Sequence, residues 1–229
     1  MTEALLVMDM QVGIVERLGA KAPSELSNAR LALAAARSHD MPVIFVRVAF
    51  RDGTPEVSHN NKSFSSLSRA QSFGETDAST QIHPDLAPQR GEVVVTKRRV
   101  SAFAGSDLDV VLRSMSVDAL VLTGIATSGV VLSTTRQAAD LDFRITILRD
   151  ACADADDEVH RVLMDKVFPR QATVITTDEW ISHVAGDSPE VWLKRETIDS
   201  DGLGVTTSWY AKGTPTASQP RGANGFRKS

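Results

Sequence analysis

A carboxylate, an ammonium and a turn of small residues each follow an apolar run in this 229-residue chain. Asp9 ends the run Ala4–Met8, and Lys97 ends Val93–Thr96. The segment Thr123-Gly124-Ile125-Ala126-Thr127-Ser128-Gly129-Val130 follows Ala119–Leu122 and leads into a helical pattern. A carboxyl group can give or take a proton, and a nearby ammonium tunes it or holds an anion. A helix entrance offers free backbone N–H groups and a positive dipole end, which suit a developing negative charge. Each feature also has a plainer use. Asp9 can cap a turn, Lys97-Arg98-Arg99 can be a solvated face, and Thr127 or Ser128 can be an N-cap. Their coincidence after the first, third and fourth runs favours a site.

The elements that would position these residues are legible as apolar runs of strand length: Ala4–Met8, Val43–Phe50, Val93–Thr96, Ala119–Leu122, Ile145–Leu148 and Thr173–Ile175. They are nearly continuous in Val, Ile and Leu, as in parallel strands buried on both faces. Helical spacing separates most of them. In Ser24–His39, Leu26, Ala29, Leu33 and Ala36 recur at three- and four-residue steps, with Ser24 placed to cap. Ser106–Met115 opens with Ser106 and Asp109 spaced as a capping box. Thr127–Leu141 reads as a buried helix, and Asp156–Phe168 as a helix stopped by Pro169.

This alternation predicts a doubly wound, mainly parallel six-stranded α/β sheet flanked by helices. Ligands of such sheets bind beyond the carboxyl ends of the strands, where Asp9, Lys97 and the Gly124–Val130 turn would meet. The polar stretch Arg51–Pro88 predicts a long loop with a short helix at the mouth of the site. After Asp187, Gly, Ser, Thr and Pro dominate, with Trp192, Trp209 and Tyr210 among the few large residues. The organisation read from this is a domain over 1–187 and a flexible tail over 188–229, whose aromatics can dock on a neighbouring subunit.

The formal net charge is −4, with no basic stripe, which argues against nucleic acid. The start lacks the basic region and long apolar stretch of a signal peptide, and no window has the length of a membrane span. The one cysteine, Cys152, permits no internal disulfide, so the cytoplasm is expected.

Four segments together resemble the isochorismatase-like hydrolases: Ala4-Leu5-Leu6-Val7-Met8-Asp9-Met10-Gln11, Val94-Val95-Thr96-Lys97-Arg98-Arg99-Val100-Ser101-Ala102-Phe103, Leu122 to Val131, and Asp150-Ala151-Cys152-Ala153 followed by Glu158 and His160. The resemblance spans about Ala4 to Thr177 and implies the catalytic pair Asp9 and Lys97. It implies a cis peptide at Ile125–Ala126, substrate or oxyanion contacts from the backbone at Ala126, Gly129 and Val130, and self-assembly into a dimer or tetramer. It also places Val130 where most members carry the cysteine nucleophile, and a valine has no lone pair with which to attack. Metal-binding members carry Asp-x-His and a second His after the second strand. Here Asp52 precedes Gly53 and Thr54, and His59 stands alone, so no catalytic metal and no cofactor are expected.

Ser128, Ser133 and Cys152 are weak substitutes for the nucleophile: helical spacing turns the serines elsewhere, and a cysteine after a buried strand is usually core. The family has a cysteine-free precedent in vinyl-ether hydrolysis, where an acid protonates the enol-ether carbon and water attacks the oxocarbenium ion. Asp9 would be that acid. The reading is therefore a hydrolase of a small carboxylated substrate, isochorismate leading, with Lys97 orienting the substrate or holding Asp9. The alternative is a catalytically inactive binding or assembly module.

Overall fold

The computed structural model describes residues 2–19, 22–69, 73–186, 192–198 and 205–211. Six parallel strands form one sheet: β1 Glu3–Met8, β2 Val43–Val48, β3 Val93–Lys97, β4 Ala119–Ile125, β5 Arg144–Ala153 and β6 Thr173–Ile175, in the order β3-β2-β1-β4-β5-β6. All six apolar runs are strands, and the fold is the doubly wound α/β sheet that they predict. Successive residues of β1 serve opposite faces, as the two-residue period of a strand requires. Ala4, Leu6 and Met8 pack into one core, and Leu5 and Val7 into the other.

The helices of the described residues are α1 Val12–Leu18, α2 Ala22–Ser38, α3 Lys62–Arg69, α4 Leu108–Ser114, α5 Leu132–Asp140, α6 Asp157–Val162 and α7 Thr177–Val184. Helix α2 buries Leu26, Ala29, Leu33 and Ala36, the face read from their spacing. Ser24 lies inside this helix, not at its cap, and its hydroxyl donates to Glu25 at 2.6 Å. At α4, Ser106 accepts from the Leu108 N–H at 3.3 Å, but Asp109 turns away to pair with Arg113, so the box is half formed. Neither α1 nor α7 is legible in the sequence. Helix α1 has seven residues, buries only Val15 and ends at Gly19 in a left-handed conformation. Helix α7 starts where Asp150 accepts from both the N–H and the hydroxyl of Thr177, a tertiary cap.

Two helical patterns contain wide π-type turns, Thr127–Val131 before α5 and Leu163–Val167 after α6. Strand β5 is longer than its apolar run, because Leu122 faces Ile147 whereas Gly124 faces Cys152, and the intervening residues bulge. The stretch Arg51–Pro88 holds α3 and two 3₁₀ turns, Ala78–Thr80 and Pro84–Leu86. Its Phe64 and Phe73 join Val48 and Phe50 in a satellite cluster.

A boundary after Val184 separates two compact units. In the second, Trp192–Ile198 and Val205–Ala211 pair as an antiparallel hairpin, β7 and β8, where the sequence reading has no strands. No helix among the described residues is long and apolar enough to cross a membrane.

Candidate active site

The strand order reverses at β1, which lies between β2 and β4, and this switch point opens a crevice beyond the carboxyl ends. Met8 pairs with Gly124, so Asp9 leaves the sheet beside Ile125, the last residue of β4. A Cβ at Gly124 would lie 2.7 Å from the Met8 carbonyl oxygen, so only glycine permits this approach. Asp9 itself has φ 55, a left-handed conformation that Asp tolerates better than most residues, and its N–H donates to Val46 O at 2.8 Å. On the other side Lys97 ends β3 in register with Val48.

Asp9 and Lys97 meet as the sequence predicts. Lys97 Nζ lies 2.9 Å from Asp9 Oδ2, and the two side chains are 1% and 7% exposed. Lys97 also donates to the carbonyls of Arg99 at 2.9 Å and Val100 at 3.0 Å. An ammonium has three donors, and all three are engaged. Asp9 Oδ1 is buried and has no hydrogen-bond partner. Burial pushes the Asp9 carboxyl above its ordinary range, and Lys97 opposes that shift. The site therefore holds a carboxyl group biased towards its acid form by burial, with one oxygen held and the other buried without a partner.

A cavity of about 360 Å³ lies against this pair. Asp9, Lys97, Ile125, Ala126, Gly129 and Val130 line it from the sheet edge, and Ile14, Arg17 and Leu18 from α1. Val48, Ser63, Phe64, Phe73, Val100 and Ala155 complete the wall. The long stretch after β2 thus supplies part of the mouth. The Ile125–Ala126 peptide is cis, where the resemblance places it. Beyond it the turn is tied down on several sides. Asp154 Oδ2 accepts from Ser128 N–H at 2.7 Å, Thr127 Oγ1 lies 2.8 Å from His160 Nδ1, and Gly129 N–H donates to Ala126 O at 3.1 Å. The last contact engages within the turn one of the donors expected to face a substrate oxygen.

Val130 is 2% exposed and packs in the core beneath the cavity. Cys152 lies in the same core on β5 and does not line the cavity, nor do Ser128 and Ser133. Burial pushes the Cys152 thiol up to about 12, so it stays protonated at neutral pH. Among the described residues no cluster of three or more His, Cys, Asp or Glu side chains could hold a metal.

Sequence reading missed several residues that build the site. Gln11 is fully buried: its amide donates to Val48 O at 2.9 Å and Thr80 O at 2.8 Å, and its oxygen accepts from Val48 N–H at 2.8 Å. It locks the end of β2 and the Ala78–Thr80 turn around Asp9. The signal was present, as a polar residue two positions after Asp9 in an otherwise apolar segment. Arg17, Phe64 and Phe73 gave no such signal, because α1 was not read as a helix and the long polar stretch hides its aromatics.

The isochorismatase domain model matches residues 3–179. The Bacillus subtilis (strain 168) isochorismatase family protein YwoC is 35% identical over 184 residues, covering 79% of this chain and 93% of that protein. The ureidoacrylate amidohydrolase RutB of Pseudomonas syringae pv. syringae (strain B728a) is 32% identical, covering 79% of this chain and 80% of that one. The N-carbamoylsarcosine amidase structure from Thermoplasma acidophilum superposes with a TM-score of 0.65 at 27% identity, covering 78% of this chain and 98% of that chain. The switch-point crevice and these similarities define a class, the isochorismatase-like α/β hydrolases. This chain belongs to the isochorismatase family and is a hydrolase.

Proposed function

We propose that the protein hydrolyses a small carboxylated molecule without a covalent cysteine intermediate, and that Asp9 is its general acid. The observation that carries this reading is the composition of the cavity: Asp9, Lys97 and Val130 line it, and the chain's one thiol does not. Val130 occupies the nucleophile's position in the turn, and its side chain cannot form an acyl-enzyme. The amide hydrolysis named for RutB and for the carbamoylsarcosine amidase is therefore not carried over through a thioester.

Vinyl-ether hydrolysis fits the groups present, and isochorismate is the first substrate to test. Asp9, in its acid form, delivers a proton to the terminal vinylic carbon. The ether oxygen stabilises the resulting oxocarbenium ion, and water adds to it. The hemiketal breaks its carbon–oxygen bond to release an alcohol and the ketone pyruvate. The proton lost by water returns to Asp9, so water is consumed and the enzyme is unchanged. Lys97 has no donor left for substrate; its part is to fix Asp9 Oδ2 and leave Oδ1 for the proton. Pyruvate release from isochorismate tests the reaction. Release by wild type and its loss in Asp9→Asn are expected; no release with either protein would remove isochorismate as substrate. Self-assembly belongs to the same reading, and a monomer in light scattering would contradict that part.

A further inference from the structure

Among the described residues, four polar side chains line the cavity: Asp9, Lys97, Arg17 and Ser63. Two are cationic, and they differ in what remains free. Lys97 is buried with every donor engaged. Arg17 lies in the last turn of α1, exposed at the rim, with its guanidinium carbon 5.2 Å from the centre of the Phe73 ring. Among the described residues it has no carboxylate partner. A guanidinium held against an aromatic face keeps its fork of donors in the ring-parallel plane or at its edge, at reduced conformational cost. Among the described residues, Arg17 is thus the cation of this cavity with donors still to give.

We propose that Arg17 is the residue that selects a carboxylated substrate, receiving the carboxylate at the rim while the apolar body fills the cavity above Asp9. This rests on reading the cavity as the active site and adds which residue confers its preference. The walls suit the body of such a molecule: Ile14, Leu18, Phe64, Phe73, Val100 and Val130 offer only hydrocarbon. The volume of about 360 Å³ is at the small end of ligand sites. A carboxylate borne on the body of the substrate, away from the reacting bond, reaches this rim. At the rim it meets a bidentate partner. The substrate therefore enters with its hydrolysable end first and the carboxylate on its body outwards.

Benzoate and its neutral counterpart benzamide are suitable probes, measured by calorimetry on the full chain. Benzoate is expected to bind wild type, to weaken by about 10-fold in Arg17→Gln, and to recover in part in Arg17→Lys. Benzamide should be weaker and indifferent to these substitutions. Arg17 is exposed, so the variants are expected to melt as wild type does, and circular dichroism checks this. Equal benzoate affinity in wild type and Arg17→Gln would overturn the assignment of Arg17. Benzamide binding as tight as benzoate would overturn carboxylate selection at this rim. Neither result touches the catalytic reading, which stands or falls with turnover in Asp9→Asn. If vinyl ethers lacking a carboxylate are hydrolysed as fast as carboxylated ones and Asp9→Asn abolishes both, Arg17 selection is refuted while the site remains.

Discussion

Lys97 gives Asp9 one of its three ammonium donors, at 2.9 Å, and gives the other two to the carbonyls of Arg99 and Val100. Asp9 in return offers one oxygen and keeps Oδ1 unpartnered. The pair is asymmetric: the lysine is saturated, and the aspartate has an atom to spare. This separates their roles and directs the tests that follow.

Asp9→Asn keeps the shape of the side chain and removes its titratable proton. Loss of a general acid lowers the rate by about 100-fold or more. Steady-state assays on the same substrate should show the fall in kcat with little change in KM, because Asp9 is assigned to proton delivery and not to anchoring.

Lys97→Met should damage both stability and rate. It strands the Asp9 carboxylate and two backbone carbonyls in a buried site. Removing one partner of a buried pair costs about 3–5 kcal/mol. Urea denaturation should register a loss of this order, and a variant as stable as wild type would mean that the pair contributes little to the folded state.

Activity should fall on the alkaline side. Burial raises the Asp9 pKa from its ordinary 3.8, so the acid form persists to higher pH than a free carboxyl and is lost as pH rises through the folded value. The same sign holds for stability. The folded chain binds this proton more tightly than the unfolded chain, so the contribution is full below the ordinary value, fades as pH rises towards the folded value and is gone above it. A pH–rate profile that rises through that window would oppose the acid role.

Cys152 should resist alkylation in the native protein, since it is buried away from the cavity and its thiol is pushed up to about 12. Iodoacetamide should label it only after unfolding. In contrast, Val130→Cys places a thiol on the cavity wall at the helix entrance. That variant should react with iodoacetamide and gain weak esterase activity if the turn retains its oxyanion contacts.

The sheet and the buried pair Asp9 and Lys97 are legible because each depends on short patterns that tertiary structure reinforces. Continuous Val, Ile and Leu runs mark strands covered on both faces, and a polar residue that ends such a run must emerge at a sheet edge. Asp9 and Lys97 could be read from this, and the resemblance supplied Ala126, Gly129 and Val130. The rest of the cavity depends on distant contacts. Helix α1 owes its form to packing by Val15 and to Gly19, so nothing periodic announced it, and Arg17 went unread with it. Phe64 and Phe73 sit in a polar stretch whose composition suggests only a loop, yet they close the satellite cluster around Phe50. Asp150, read as part of a family segment, caps α7 through Thr177, a role that spacing could not reveal.

The central claim is hydrolysis by Asp9 without a thiol, and turnover in Cys152→Ala set beside Asp9→Asn tests it most directly. Intact-mass spectrometry during turnover should accompany the assay. The account predicts that Cys152→Ala retains wild-type activity, that Asp9→Asn loses about 100-fold or more, and that no adduct accumulates on the chain. An inactive but folded Cys152→Ala, or a substrate-derived mass on Cys152, would contradict it.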